Sequence, residues 1–430
     1  MIIGTQAASA SQHLFKENRE TRDRLSLLLL YVPLFATTIL TKIAIVPLSP
    51  DISIAVPIVV SIPLFGMILG RIRFDPLRST LFLLVMSLLW LIQLLSDSSF
   101  SLPSMLLLTT LFLTMACYLD LPADQWERSM RTLLNLSLFL AIAGIIQFGL
   151  QFIVGTKYAF PIESFTPKSL LIQHFHYLNP LRYGGKIYKS NGVFLLEPSQ
   201  FSQLLAVALI GELVTSARTW RCLVYLLGMI VAYSGTGLIV LLVCLPLLIV
   251  VQRRWKLMLL IGLTAILLLS LASTLQLDVF IHRASESHSE RSSGFARFIG
   301  GFYAFQDQLW PDTDRALFGY GAGSFGEASR QFVLPAAEMP LNKIVFEFGL
   351  AGSLALFGLL FACLIRSHGP GIFRFAVGLS FFLNGLYVPT AQGIALTVML
   401  WSGAMMASPS IGRSIATHSV RRIKPEVRHA

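Results

Sequence analysis

"CLVYLLGMIVAYSGTGLIVLLVCLPLLIVV", Cys222 to Val251, contains no charged residue and is longer than one membrane crossing requires. Crossing takes about 20 apolar helical residues, because roughly 30 Å must be covered at about 1.5 Å per residue. Read as one helix, the stretch overshoots. Read as two, it gives short spans at Cys222–Tyr233 and Gly237–Val251, with Tyr233-Ser234-Gly235-Thr236 as a tight turn between them. The choice sets the side of every later connection, and with it the fold.

Charge decides in favour of two spans. Lys and Arg near helix ends are retained on the cytoplasmic side, so basic residues should collect in alternate connections. With twelve spans they do. The others run Leu27–Val46, Ile52–Gly70, Ser79–Leu95, Leu102–Leu119, Leu133–Val154, Ser199–Thr215, Leu257–Ser273, Leu341–Ile365, Phe375–Val388 and Gly393–Ala407. The N-terminal arm (Lys16, Arg19, Arg22, Arg24), the even connections (Arg71/Arg73/Arg78, Arg128/Arg131, Arg218/Arg221, Arg253/Arg254/Lys256, Arg366/Arg374) and the tail (Arg413, Arg421, Arg422, Lys424, Arg428) hold most of the 33 Lys and Arg. Short connections on the opposite side hold none. Both termini are therefore expected in the cytoplasm.

Composition agrees. The 430 residues are 55% hydrophobic and 13% charged, with a mean hydropathy of +0.71, which marks an integral membrane protein. The net charge of +11 is explained by basic flanks facing anionic lipid, so no nucleic-acid partner is expected. Cys117, Cys222, Cys244 and Cys363 fall inside spans without metal-ligand spacing and read as packing residues; no metal or cofactor is expected.

Two long outer connections remain, Gly155–Gly192 and Thr274–Pro340. The first sets Lys157, Lys168, Arg182, Lys186 and Lys189 against Glu163 alone, and the second mixes Arg283, Arg291, Arg297, Arg315 and Arg330 with acids. Such gathered cations suggest an anion site, with a solvated charged loop as the plain alternative. The expected organisation is 1–154 (helices one to five), 155–192 (loop), 193–273 (helices six to nine), 274–340 (large loop), 341–408 (helices ten to twelve) and 409–430 (basic tail). Glu197-Pro198-Ser199 lies at the outer mouth of the sixth span, where Pro suits a first helical turn. Glu197 is either a cap or a base that takes a hydroxyl proton.

The run Lys189-Ser190-Asn191-Gly192-Val193-Phe194-Leu195-Leu196-Glu197-Pro198-Ser199 resembles the opening motif shared by the bacterial O-antigen polymerase and ligase superfamily, and especially by exopolysaccharide repeat-unit polymerases. It is one residue longer between Phe194 and Glu197. Ser234-Gly235-Thr236-Gly237 is similar to that family's Ser-Gly-Thr-Gly turn, Leu317–Phe325 to its Gly-rich segment, and Asn342–Gly352 to its Glu-x-Gly-x-x-Gly helix start. The resemblance covers roughly Lys189 to Gly352. Lys189 stands where the family has Arg, which loses the bidentate fork. Leu341 stands where ligases carry His, which favours polymerase over ligase.

The resemblance implies an all-α, multi-pass bundle with a large extracytoplasmic loop, GT-C-like, that joins oligosaccharides carried on polyprenyl diphosphate at the outer face of the bacterial cytoplasmic (inner) membrane. It implies Arg297, Glu197 and Lys189 as catalytic residues and Arg291, Tyr320, Gly321, Gly323, Asn342, Lys186 and Arg182 as substrate-binding ones. A chain-length regulator and a flippase would be partners. Gly321-Ala322-Gly323-Ser324-Phe325-Gly326 also fits a dinucleotide-site string, but no strand precedes it, so it reads as a turn. The other classes weighed are a ligase and a lipid-linked oligosaccharide flippase. Against the flippase, Lys42, Glu212 and Glu347 fall near span ends rather than mid-bilayer.

Overall fold

The computed structural model describes residues 24–46, 49–95, 100–119, 123–173, 177–182, 184–252, 295, 299–330, 339–367 and 369–383. Helices dominate them: α1 (Arg24–Ile39), α2 (Ala55–Ile68), α3 (Pro76–Leu95), α4 (Leu102–Leu113), α5 (Ala123–Ile153), the short α6 (Thr156–Ala159) and α7 (Pro161–Phe165), α8 (Pro198–Thr215), α9 (Thr219–Ala232), α10 (Gly235–Gln252), the short α11 (Gly300–Ala304), α12 (Thr313–Phe318) and α13 (Phe325–Ser329), then α14 (Pro340–Arg366) and α15 (Gly371–Leu383). Among the described residues, α3, α5 over Trp126–Ile153, and α14 are long and apolar enough to cross a membrane; α1, α2, α4, α9, α10 and α15 are shorter apolar helices. The spans read over Leu257–Ser273 and Gly393–Ala407 lie outside the described residues, as do Arg291 and Arg297.

The stretch Cys222–Val251 is two helices. Tyr233 adopts a left-handed conformation, φ 44°, that stops α9, and α10 starts two residues later. Gly237 then lets α10 close on α8: a Cβ there would lie 2.2 Å from Ser202 Oγ. Around this corner α8 is the centre of the bundle. Every residue from Pro198 to Leu213 is buried, and α8 packs against α5, α9, α10 and α15. A helix enclosed on all sides has no stripe of polarity to show, so its few polar groups bond inward: Ser202 Oγ to Ser234 O, 3.3 Å, and Gln203 Nε2 to Leu383 O, 2.9 Å. Outward faces carry the opposite character. Leu84, Leu94, Leu242, Leu354 and Phe361 are 63–75% exposed, apolar surface that suits lipid and would be a liability in water.

Contacts sort the helix ends into two groups. The ends of α1, α3, α5, α9 and α15 and the starts of α2, α4, α8, α10 and α14 share one end with the described residues of 155–192; the reverse ends share the other, where Arg78, Arg221, Arg366 and Arg374 lie. Two small antiparallel pairs depart from the all-helical expectation. β1 (Ala44–Ile45) pairs with β2 (Ser49–Ser53) at the loop end, and β3 (Ile72–Phe74) with β4 (Cys117–Leu119) at the basic end. The first span therefore stops at Ile39 rather than running to Val46, and the fourth stops at Leu113 before a 3-10 turn and β4. Buried connecting backbone must pair its N–H and C=O groups, and the strands do this.

Two cations expected to face lipid are instead inside the protein. Arg221, 4% exposed, forms an ion pair with the fully buried Glu212 at 3.1 Å and donates to Tyr225 Oη at 3.3 Å. Tyr225 in turn donates to Leu134 O, 2.7 Å, tying α9 to α5. Arg78 is 1% exposed beside Asp75, whose carboxylate accepts the Arg78 N–H at 2.8 Å in the first turn of α3. These charges carry helix packing, which a count of flanking cations does not distinguish from lipid contact.

α14 is broken at Gly349 (φ 62°, ψ −169°), a conformation essentially restricted to glycine. The freed carbonyls are taken up by the glycine-rich segment: Tyr320 N–H donates to Phe346 O at 2.9 Å and Gly321 N–H to Glu347 O at 3.0 Å. A Cβ on Gly349 would meet Leu317 O at 2.3 Å. Gly349→Ala is expected to cost about 3 kcal/mol or more, since backbone strain and a backbone clash add. Thermal unfolding of the purified protein checks this; an unchanged midpoint would contradict it.

Candidate functional site

The segment from Lys189 to Ser199 runs across the loop end of the bundle, held by one face of α5. Gln147 and Gln151 lie one turn apart and so point the same way. Gln151 clasps Tyr188 through both backbone groups, each at 2.8 Å. Gln147 Oε1 accepts from Ser190 Oγ (2.7 Å), Asn191 N (3.2 Å) and Val193 N (3.2 Å), while its Nε2 donates to Asn191 Oδ1 (3.0 Å). Gly192 and Val193 both take positive φ, 68° and 70°. For a β-branched valine this is strained, and the bonds on either side hold it.

One of those bonds comes from Lys42. This lysine lies past the end of α1 and is fully buried. Its ammonium donates to Val193 O and pairs with Glu163 Oε1 of α7 at 2.5 Å, the side chains being 1% and 4% exposed. Asn191 Nδ2 donates to the same Oε1 at 3.0 Å. Oε2 accepts no hydrogen bond among the described residues, a deficit of about 1–3 kcal/mol for a buried polar atom. Burial pulls the Lys42 amine down to about 8, with the Glu163 charge and hydrogen bond acting the other way. Burial first, then the Glu163 charge, pushes the Tyr177 hydroxyl up; that hydroxyl donates to Ile172 O at 2.5 Å.

Sequence reasoning passed over Lys42, Glu163, Gln147 and Gln151. Two signals were available: the lone acid in a basic loop, and the only charge within the first apolar run.

Glu197 occupies the N-cap position of α8 without a side-chain capping bond; its Oε2 accepts from Ser199 Oγ at 2.8 Å. The Ser234–Gly237 turn docks on the same helix start, with Thr236 Oγ1 donating to Ser199 O at 3.2 Å. Two of the motif segments thus meet at the mouth of α8. Glu197→Gln keeps an acceptor for Ser199 and removes the charge. A positional role predicts a change within about 0.5 kcal/mol in stability with activity retained, whereas a proton-accepting role predicts a loss of about 100-fold or more at unchanged stability. Rates and thermal midpoints of the variant decide.

Lys189 is buried at 5% exposure, its N–H donating to Asn179 O at 2.9 Å. Arg182 and Lys186 are exposed, at the tip of a turn closed by Leu181 N to Ile187 O, 2.8 Å, and by the Pro180–Tyr188 bridge.

No family model, curated protein or solved structure matches the chain. Geometry alone has to carry the functional argument.

The remaining sequence candidates lie on or against α14, except Gly323, which lies against α4. Tyr320 stacks on Phe346 with ring centroids 4.9 Å apart, and the Arg315 guanidinium sits over the Tyr320 ring, 5.1 Å from its centroid. Gly321, through its bond to Glu347 O, plugs the break in α14. Gly323 abuts Ser101 at the start of α4, where an added Cβ would come within 2.7 Å of Ser101 Cβ. Asn342 is buried against Gly301 of α11, where an added Cβ would meet the amide at 2.3 Å. With the Tyr320 and Gly321 N–H groups committed to backbone carbonyls, they are not free to line an anion.

Proposed function

We propose that this chain is a membrane glycosyltransferase that polymerises oligosaccharide repeat units, carried on polyprenyl diphosphate, into an exopolysaccharide or O-antigen chain at the outer face of the inner membrane. The observation that carries the reading is the fixing of Lys189–Glu197 by Gln147, Gln151 and Lys42 at one end of an apolar bundle, beside exposed Arg182 and Lys186. Cations gathered at one end of such a bundle suit a reaction whose leaving group is an anionic lipid diphosphate. Each such contact stabilises the growing charge by a few kcal/mol, and Arg291 and Arg297 complete the proposed set with paired hydrogen bonds to phosphate oxygens. Lysine at 189 supplies a point charge instead. In this reading the chain has twelve spans in a GT-C-like arrangement, cytoplasmic termini, and a flippase and chain-length regulator as partners.

One observation favours a second reading. Glu347 is fully buried beside the break in α14, with Lys343 Nζ at 3.7 Å, and paired charges at an interrupted span are a transporter feature. Purified protein supplied with lipid-linked repeat units separates the classes. Longer chains on the lipid support the polymerase, transfer to another acceptor indicates a ligase, and movement across the bilayer without new linkages indicates a flippase and overturns the proposal.

A further inference from the structure

The geometry points to Glu163 as the group that receives the acceptor sugar's hydroxyl, an assignment that rests on the polymerase reading. Its carboxylate is fixed through one oxygen, and the other is buried without a donor among the described residues. Oε1 takes the Lys42 ammonium at 2.5 Å and the Asn191 amide at 3.0 Å, and Oε2 has no donor among the described residues although the side chain is 4% exposed. Because Lys42 already balances the negative charge, a second cation would be repelled; the unpartnered oxygen calls for a neutral O–H donor. Carbohydrate hydroxyls have that chemistry. Glu197 is less suited, being only half-buried with its Oε2 already bonded to Ser199.

In the step that follows, the acceptor oxygen forms its bond to the donor sugar's anomeric carbon. The bond from that carbon to the lipid diphosphate breaks, its electron pair leaving with the phosphate, and the hydroxyl proton passes to Glu163 Oε2. The proton then returns to water. Lys42 and Asn191 act as positioning residues, since they hold Oε1 and so aim Oε2.

The test is Glu163→Gln in the full-length protein in lipid nanodiscs, with two readouts. The first is chain extension of lipid-linked repeat units. The second is binding, by ligand-observed NMR, of the free oligosaccharide released from that lipid by mild acid. The glutamine can still offer its oxygen to Lys42 and Asn191, but it then presents NH2 where the hydroxyl must donate. Extension is expected to fall about 100-fold or more and oligosaccharide binding to weaken, while binding of the lipid diphosphate stays as in wild type; the thermal midpoint falls, because the buried Lys42 is left with a neutral partner. Full extension in E163Q, or equal oligosaccharide binding by both proteins, overturns the assignment. Loss of lipid diphosphate binding in E163Q also overturns it, as the sign of a purely structural pair. Wild-type protein that binds the oligosaccharide through Glu163 but never lengthens a chain would sink the polymerase reading and leave the hydroxyl site standing. If E163Q does not survive purification, Glu163→Asp keeps the charge for Lys42 and draws the second oxygen back; unchanged extension there overturns the proposal, and lost extension with intact folding supports it.

Discussion

Replacing Lys42 with Met is expected to destabilise the protein by about 3–5 kcal/mol, the cost of leaving a buried carboxylate without its partner. Glu163 would keep only Asn191 as a donor, with both of its oxygens shut away from water. Val193 O would lose its ammonium donor at a residue already held at φ 70°. The loss therefore reaches the Lys189–Glu197 segment and not just one ion pair. Removing both charges tests whether the pair or the packing matters: Lys42→Met with Glu163→Leu should recover most of the stability, because a buried pair exchanged for apolar side chains is often neutral. That double variant should still fail to extend chains. Thermal and denaturant unfolding in detergent give the comparison, and a K42M midpoint within a degree of wild type would show that the pair does not hold the segment.

The sequence made the helices legible because lipid and core both demand apolar runs of fixed length. Cys222–Val251 split where Tyr233 and Gly235 said it should, and the ends of α3, α5, α8 and α14 fall within a few residues of the expected spans, except that α5 begins well before Leu133. What stayed hidden was the partner of each buried charge. Lys42 looked like a cation near a span end, but it is joined to a carboxylate more than a hundred residues away. Arg221 looked like a lipid-facing flank, yet it pairs with Glu212 across the α8–α9 turn. Pairings of this kind depend on which helices become neighbours, and hydropathy carries no information about that.

The glycine-rich segment was hidden for the same reason. Composition identifies Gly319–Gly323 as a turn, but not that the turn enters a break in α14 and satisfies the carbonyls of Phe346 and Glu347. A span read as continuous from Leu341 to Ile365 is in fact two helical pieces pinned by the glycine-rich segment. Glu347, which lies two residues before Gly349, is buried at this joint.

Arg297→Ala is expected to lower chain extension by about 100- to 1000-fold while leaving insertion and the thermal midpoint unchanged. That is the loss that follows when one oriented donor to a developing oxyanion is removed. Arg297 lies outside the described residues, and the expectation rests on its chemistry and on the segment that follows it, where Gly301 packs directly against Asn342 at the start of α14. Arg297→Lys separates charge from geometry. Lysine keeps the charge and gives up the planar fork that grips two phosphate oxygens, so it should restore only part of the rate. The converse change, Lys189→Arg, adds a fork where a point charge now stands, and full activity there would mean that position 189 needs only its charge. If R297A extends chains at the wild-type rate, Arg297 is not at the diphosphate, and the exposed cations Arg182 and Lys186 become the groups to test next.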